Sequence, residues 1–163
     1  MKVKNLILIL ATATLVFSSC NGGKMTPIAY NQKLEMMILS FMSEDDLVDE
    51  LRDESFTNDA AKKAIDSLVI LFDKSNKELA AIKYPDKAEG LQNAVVAFLK
   101  YRSDKMLPAI KDVVSHERNS DEFINSWNKL FDLKDEGLKL QQNMLDEQAK
   151  FARESGYQIQ KNN

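Results

Sequence analysis

Cysteine is almost missing from this chain: Cys20 stands alone. No internal disulfide can form, and no Cys-x-x-Cys pair exists for metal or redox work. Histidine is equally scarce, with only His116. A di-iron bundle needs a Glu-x-x-His unit on each of two helices, and covalent haem needs Cys-x-x-Cys-His; neither is present. His116 is read as a solvated helix C-cap, and Met36, Met37 and Met42 as core filler. The expectation is no metal and no cofactor. Five glycines and three prolines leave no phosphate-cradling loop and no Gly-x-Ser-x-Gly elbow. No catalytic residue is assigned and the chain is read as a non-enzyme. An excess of basic charge is also lacking. Lys and Arg number 22 against 25 Asp and Glu, for a net charge of −3. Without a basic block, nucleic acid and polybasic lipid binding are excluded. The acidic run Asp45, Asp46, Asp49 and Glu50 lacks the glycine and closing glutamate of an EF-hand loop, and is read as a solvated helix face.

Long apolar runs are missing too, with one exception. Leu6 to Phe17 is apolar apart from Thr12 and Thr14, follows Lys2 and Lys4, and leads through Ser18-Ser19 to Cys20. Basic start, apolar centre and small residues make a secretory signal. The run is too short for a transmembrane helix, which needs about 20 apolar residues. A lone thiol in an exported chain then needs a purpose. No His or basic neighbour stands beside it to make a reactive thiolate.

The stretch Val16-Phe17-Ser18-Ser19-Cys20 resembles the lipobox of bacterial lipoproteins, in a looser form with Phe17 in place of the usual Leu. The resemblance implies cleavage before Cys20 and lipid (palmitate among its acyl chains) on that residue. Several acyl chains on one residue hold a protein stably where one does not. The expected parts are a signal peptide over 1–19, lipidated Cys20 with a short leash over 20–26, a helical domain over 27–157 and a polar tail over 158–163. Cleavage would remove two lysines and move the formal charge to −5. In layout the chain resembles uncharacterised small helical lipoproteins of Bacteroidota and spirochaetes. Asn21-Gly22-Gly23-Lys24 lacks the acidic run that resembles a surface-export signal. The expected address is therefore the bacterial cell envelope, in an outer membrane facing the periplasm, with the cell surface as the alternative.

The remainder reads as four amphipathic helices in an all-α, up-down-up-down bundle. Thr26-Pro27 starts the first, over about 27–52, with an irregularity expected around Ser43. Ala61, Ile65, Leu68, Phe72, Ser75, Leu79 and Ile82 step by four and three through the second, which ends before Tyr84-Pro85. The third carries Leu91, Val95, Phe98, Leu99, Met106, Ile110 and Val113, with a kink or break expected near Pro108. Asn119 to Glu122 reads as a capping box with Asn119 as N-cap. The fourth then runs to Glu154 or Ser155, before Gly156. Its seam is read as Ile124, Trp127, Phe131, Lys134, Leu138, Gln141, Leu145, Gln148 and Ala152. One heptad row is apolar; the other turns polar after Trp127. The polar row suggests a tail overhanging the bundle at the anchored end, with Gln141 and Gln148 facing solvent or a partner.

Two function classes follow. One is a membrane-anchored interaction module, held by lipid on Cys20 and docking another envelope protein through a patch outside the core. The other is a periplasmic small-ligand or stress-sensing bundle. Its slot is expected between the third and fourth helices, where Phe98, Tyr101, Trp127 and Phe131 are placed at one level, with Arg102 and Lys134 closing it.

Overall fold

The computed structural model describes residues 25–53 and 56–159; the signal segment and Cys20 lie outside them, as does the side chain of Met42. Helix α1 spans Pro27–Glu50, α2 Asn58–Ala81, α3 Glu89–Tyr101, α4 Leu107–Ser115 and α5 Asp121–Glu154. A π turn, Arg102–Met106, joins α3 to α4 without a non-helical residue between them. The described residues therefore form an all-α bundle of four rods, with α3, the π turn and α4 forming the third. None of the described helices is long and apolar enough to cross a membrane.

Local chemistry sets the helix ends. Thr26 accepts a hydrogen bond from the Ala29 N–H, ahead of Pro27 at a position where no N–H is needed. Thr57 does the same for Ala60. The N-cap of α5 is Ser120, which accepts from the Phe123 N–H, and not Asn119 as the capping-box pattern suggests. Asn119 takes φ +65°, a left-handed turn that asparagine tolerates, and this moves the cap one residue on. At the far end Gly156 adopts φ +76°. Its N–H reaches the Arg153 carbonyl and the Tyr157 N–H reaches that of Ala152. This is the Schellman closure, with Tyr157 packing edge-on to Phe151.

The third rod neither breaks at Pro108 nor runs as a plain α-helix. Its inward residues Phe98, Arg102, Met106 and Ile110 are spaced by three successive steps of four. In an α-helix twelve residues at about 100° each would carry Ile110 about 120° away from Phe98. The π turn takes one extra residue into its i→i+5 ring, Leu107 N–H bonding to the Arg102 carbonyl, and returns Ile110 to the core. Ser43 causes no irregularity in α1.

The rods pack antiparallel in sequence order. Phe41 stacks on Phe72 across α1 and α2. The Tyr101 hydroxyl bonds to the Leu133 carbonyl at 2.7 Å, and Ser126 to Asp112 at 2.7 Å, which sets the register of α5 on α3 and α4. Tyr30 meets Phe151 edge-on where α1 begins and α5 ends. At the opposite end Arg118, between α4 and α5, donates to the carbonyls of Asp53 and Phe56, pinning the α1–α2 connection to the α4–α5 connection. The core runs from Tyr30, Leu34 and Phe41 through Leu68, Phe72 and Leu79 to Val95, Leu99, Ile110 and Val113.

Two sequence expectations fail on α5. Gln148 is only 5 % exposed, so the polar row does not overhang the bundle there. The apolar row taken as the seam faces outward over its first half, where Ile124 is 49 %, Phe131 41 % and Leu138 52 % exposed; Leu145 is half-buried, and Ala152 and Gln148, also read into the seam, are buried. The full set that α5 buries is Ser126, Leu130, Gly137, Met144, Gln148, Phe151 and Ala152. On α1, Met36 is exposed, against the core-filler reading, and Met37 is core.

Candidate functional site

The residues expected to form a slot are divided between two places by the helix register. Tyr101 lies beside Gly137, which puts Phe98, three residues earlier, level with Leu140. Trp127 is thirteen residues further along α5, about 20 Å away. Phe98 and Trp127 therefore share no cavity.

Trp127, Phe131 and Lys134 do come together. With Asp45, Val48 and Asp49 of α1, and Met106 and Leu130, they line a niche of about 40 Å³. Phe123, Trp127 and Phe131 stand one turn apart on α5, the first pair stacked at 5.9 Å and the second edge-on at 5.7 Å. The Arg52 guanidinium lies 5.5 Å from the Phe131 ring centre and 3.6 Å from Asp49. A cation is thus held between a carboxylate and an aromatic face. The niche accommodates a water or the head of one side chain; drug-sized ligands need about 300–1,000 Å³.

Arg102 lies deeper, where the π turn begins. Its Nη1 and Nη2 donate to Asp45 at 2.8 and 3.1 Å, the bidentate geometry that guanidinium favours. Its charge lies 5.1 Å from the Phe98 ring centre. Glu44 is 0 % exposed, with one oxygen 3.4 Å from Arg102 Nη1. That is close enough for charge attraction, but the geometry makes no hydrogen bond. Among the described residues neither Glu44 oxygen has a hydrogen-bond partner, nor does Arg102 Nε. Burial pushes the Glu44 carboxyl up to about 7; Arg102 pulls it down and Asp45 pushes it further up. Burial also works against the Arg102 charge, but its two carboxylate neighbours outweigh that and hold it firmly protonated. The sequence signal for this cluster was Arg102 standing in the apolar row, four residues from both Phe98 and Met106.

A second polar cluster lies where α1 starts and α5 ends. Gln148 donates to Asn31 at 2.9 Å and to Glu35 at 3.1 Å, and Asn31 donates to Glu35 at 2.7 Å. Burial raises the Glu35 carboxyl, while Asn31 and Gln148 lower it. Next to it the Tyr30 hydroxyl donates to Gln92, which donates to the Leu79 carbonyl, and burial drives the Tyr30 phenol upward. Beside Gln148 runs a groove of about 530 Å³. Leu145, Ala149 and Ala152 line it along α5, Asp146 and Arg153 bring charges of opposite sign, and Tyr157 to Ile159 close it.

His116 sits just past α4 as its C-cap, with Nε2 3.4 Å from Asp112. Among the described residues no group of three or more His, Cys, Asp and Glu side chains is placed to hold a metal ion. Comparison with protein families, with curated proteins and with solved structures gives no match.

Proposed function

We propose that this chain is a lipid-anchored envelope lipoprotein that acts as an interaction module. Cys20 tethers the bundle to an outer membrane on its periplasmic side, and the outward face of α5 docks another envelope protein. The observation that carries the reading is the apolar row Ile124, Phe131 and Leu138, exposed along one helix. Single exposed apolar residues are ordinary on a protein surface; three large ones repeated along one helix, with the half-buried Trp127 between the first two, favour a contact site. A small-ligand slot at Trp127 draws less support, because the niche there is about 40 Å³.

The test uses the native envelope. Photo-reactive residues are placed at Phe131 and Leu138, and at Lys63 on α2 as a control. Adducts to one protein at the α5 positions and none at Lys63 are expected. Equal adducts at all three positions would remove the docking face. A Cys20→Ala variant that still partitions with membranes would remove the anchor.

A further inference from the structure

We infer that the bundle holds an arginine switch: when Glu44 gives up its proton, Arg102 leaves Asp45 for Glu44, and Asp45 is released into the niche beside Trp127. Two carboxylates on consecutive residues of α1 flank one guanidinium, and one of them is served. Asp45 takes both bonds along the outer edge of Arg102, at 2.8 and 3.1 Å. Glu44 lies 3.4 Å from Nη1, and neither of its oxygens has a hydrogen-bond partner among the described residues. The arrangement suits a protonated Glu44. A neutral carboxyl can stay in the core at moderate cost, whereas an ionised one needs a counter-charge bonded to it.

Loss of the proton reverses the preference. The Asp45 side chain is 49 % exposed, so water can take the place of the guanidinium there. Glu44 is fully buried and has no such substitute. Among the described residues no other cation competes for it. The rows that α2, α3, α4 and α5 bury hold no charged residue, and Arg102 and Asp45 are the charged groups that act on Glu44. Arg52 is held by Asp49 and the Phe131 ring, and Lys134 stands in the niche with Asp45 and Asp49.

The movement required is small. The guanidinium lies against the Phe98 ring, 5.1 Å from its centre, a contact that tolerates sliding of the plane. Arg102 Nε has no partner, so turning the group breaks no bond at that atom. Nη1 needs to close only from 3.4 Å to the ~2.8 Å of a charge-assisted bond. The released Asp45 finds the Lys134 ammonium among the residues lining the same niche. A buried proton is thereby coupled to the charge of a surface niche between α1 and α5, across the π turn that positions Arg102.

The test uses the full chain in detergent micelles. Trp127, the only tryptophan, lines the niche with Asp45, so its emission is followed from about pH 5 to about pH 9. One transition near pH 7 is expected. Glu44→Gln, neutral at every pH, should abolish it and hold the acid-side spectrum. His116 touches Asp112, which holds Ser126 next to Trp127, so His116→Asn is the control and should keep the transition. NMR of the arginine Nε–H groups reads the exchange itself, with Arg102→Lys assigning the signal. As pH rises, the Arg102 signal should move from its position in Glu44→Gln toward its position in Asp45→Asn, where Glu44 is the one carboxylate left to it. In Asp45→Asn the Glu44 midpoint should fall by about one pH unit or more. An Arg102 signal that stays in place across the range overturns the switch. So does an emission transition that survives in Glu44→Gln or vanishes in His116→Asn, or a loss of helical ellipticity through the transition, which would mean that Glu44 ionises by unfolding.

Discussion

Helix α1 is tied to its neighbours by two buried polar clusters built in opposite ways. Near its start, Asn31, Glu35 and Gln148 give one another donors and acceptors, so burial is offset by hydrogen bonds that specify one register. Near its end, Glu44 and Asp45 compete for Arg102. Asp45, half exposed, takes both guanidinium bonds, and Glu44, fully buried, takes none. The first cluster is a closed network. The second keeps a carboxyl in the core whose protonation state depends on pH, next to the π turn that places its arginine. A satisfied polar group holds a structure quietly; an unsatisfied one makes stability respond to its surroundings.

The contrast is broken most directly at Arg102. Replacing it with methionine leaves Glu44 and Asp45 without the guanidinium that faces them both, and a loss of about 3–5 kcal/mol at pH 8 is expected in urea unfolding. The loss should shrink below pH 5, where Glu44 is neutral in either variant. A variant as stable as the parent at pH 8 would mean that Glu44 carries no buried charge.

Next in size is the pH dependence of the parent. The Glu44 carboxyl is raised from 4.5 to about 7 on folding, so between these values the folded state holds a proton that the unfolded state has lost. Its stabilising contribution is complete below pH 4.5 and disappears as pH rises through 7, a fall of about 3 kcal/mol. Subtracting the curve of Glu44→Gln isolates it. Parallel curves for the two chains would deny the shift.

At the closed network, Gln148→Leu removes the amide that donates to Asn31 and Glu35. It should cost about 1–3 kcal/mol and drive the Glu35 carboxyl further up, measurable as an added loss of stability with rising pH. No change on thermal melting would show that the network does not set the α1–α5 register. The smallest effect is expected outside both clusters. Leu138→Ser, on the exposed row, should stay within about 0.5 kcal/mol of the parent; a larger loss would mean that the row is part of the core.

The fold was largely legible because its signals are local. The steps of four and three in α2 lie within a regular helix, and its row from Ala61 to Leu79 is buried as spaced. On α5 the same reasoning chose the wrong face over the first half of the helix, from Ile124 to Leu138, and met the buried face only at Gln148 and Ala152. That first half carries two rows: one of large apolar residues that faces outward, and one that is buried but includes Ser126 and Gly137. Apolar content favours the first. The second packs because Gly137 admits the Tyr101 ring and Ser126 finds a partner on α4. The site was legible only in part for a similar reason. Trp127, Phe131 and Lys134 share one stretch of α5 and meet in one niche. Phe98 belongs to another level and Arg102 lies behind the niche, reaching it through Asp45, as set by an antiparallel register that spacing within a helix does not reveal.

The sequence by itself determined four amphipathic rods, the cap at Thr26, the stop at Gly156 and the up-down-up-down order. Each follows from contacts within a turn or two, or from connections too short to allow another path. Only the tertiary structure decided which row of α5 is covered, that Glu44 lies in the core without a hydrogen bond, and that Gln148 closes a network with Asn31 and Glu35. Those outcomes depend on how helices far apart in the chain slide and rotate against one another. Packing of whole faces sets that choice, and no local pattern encodes it.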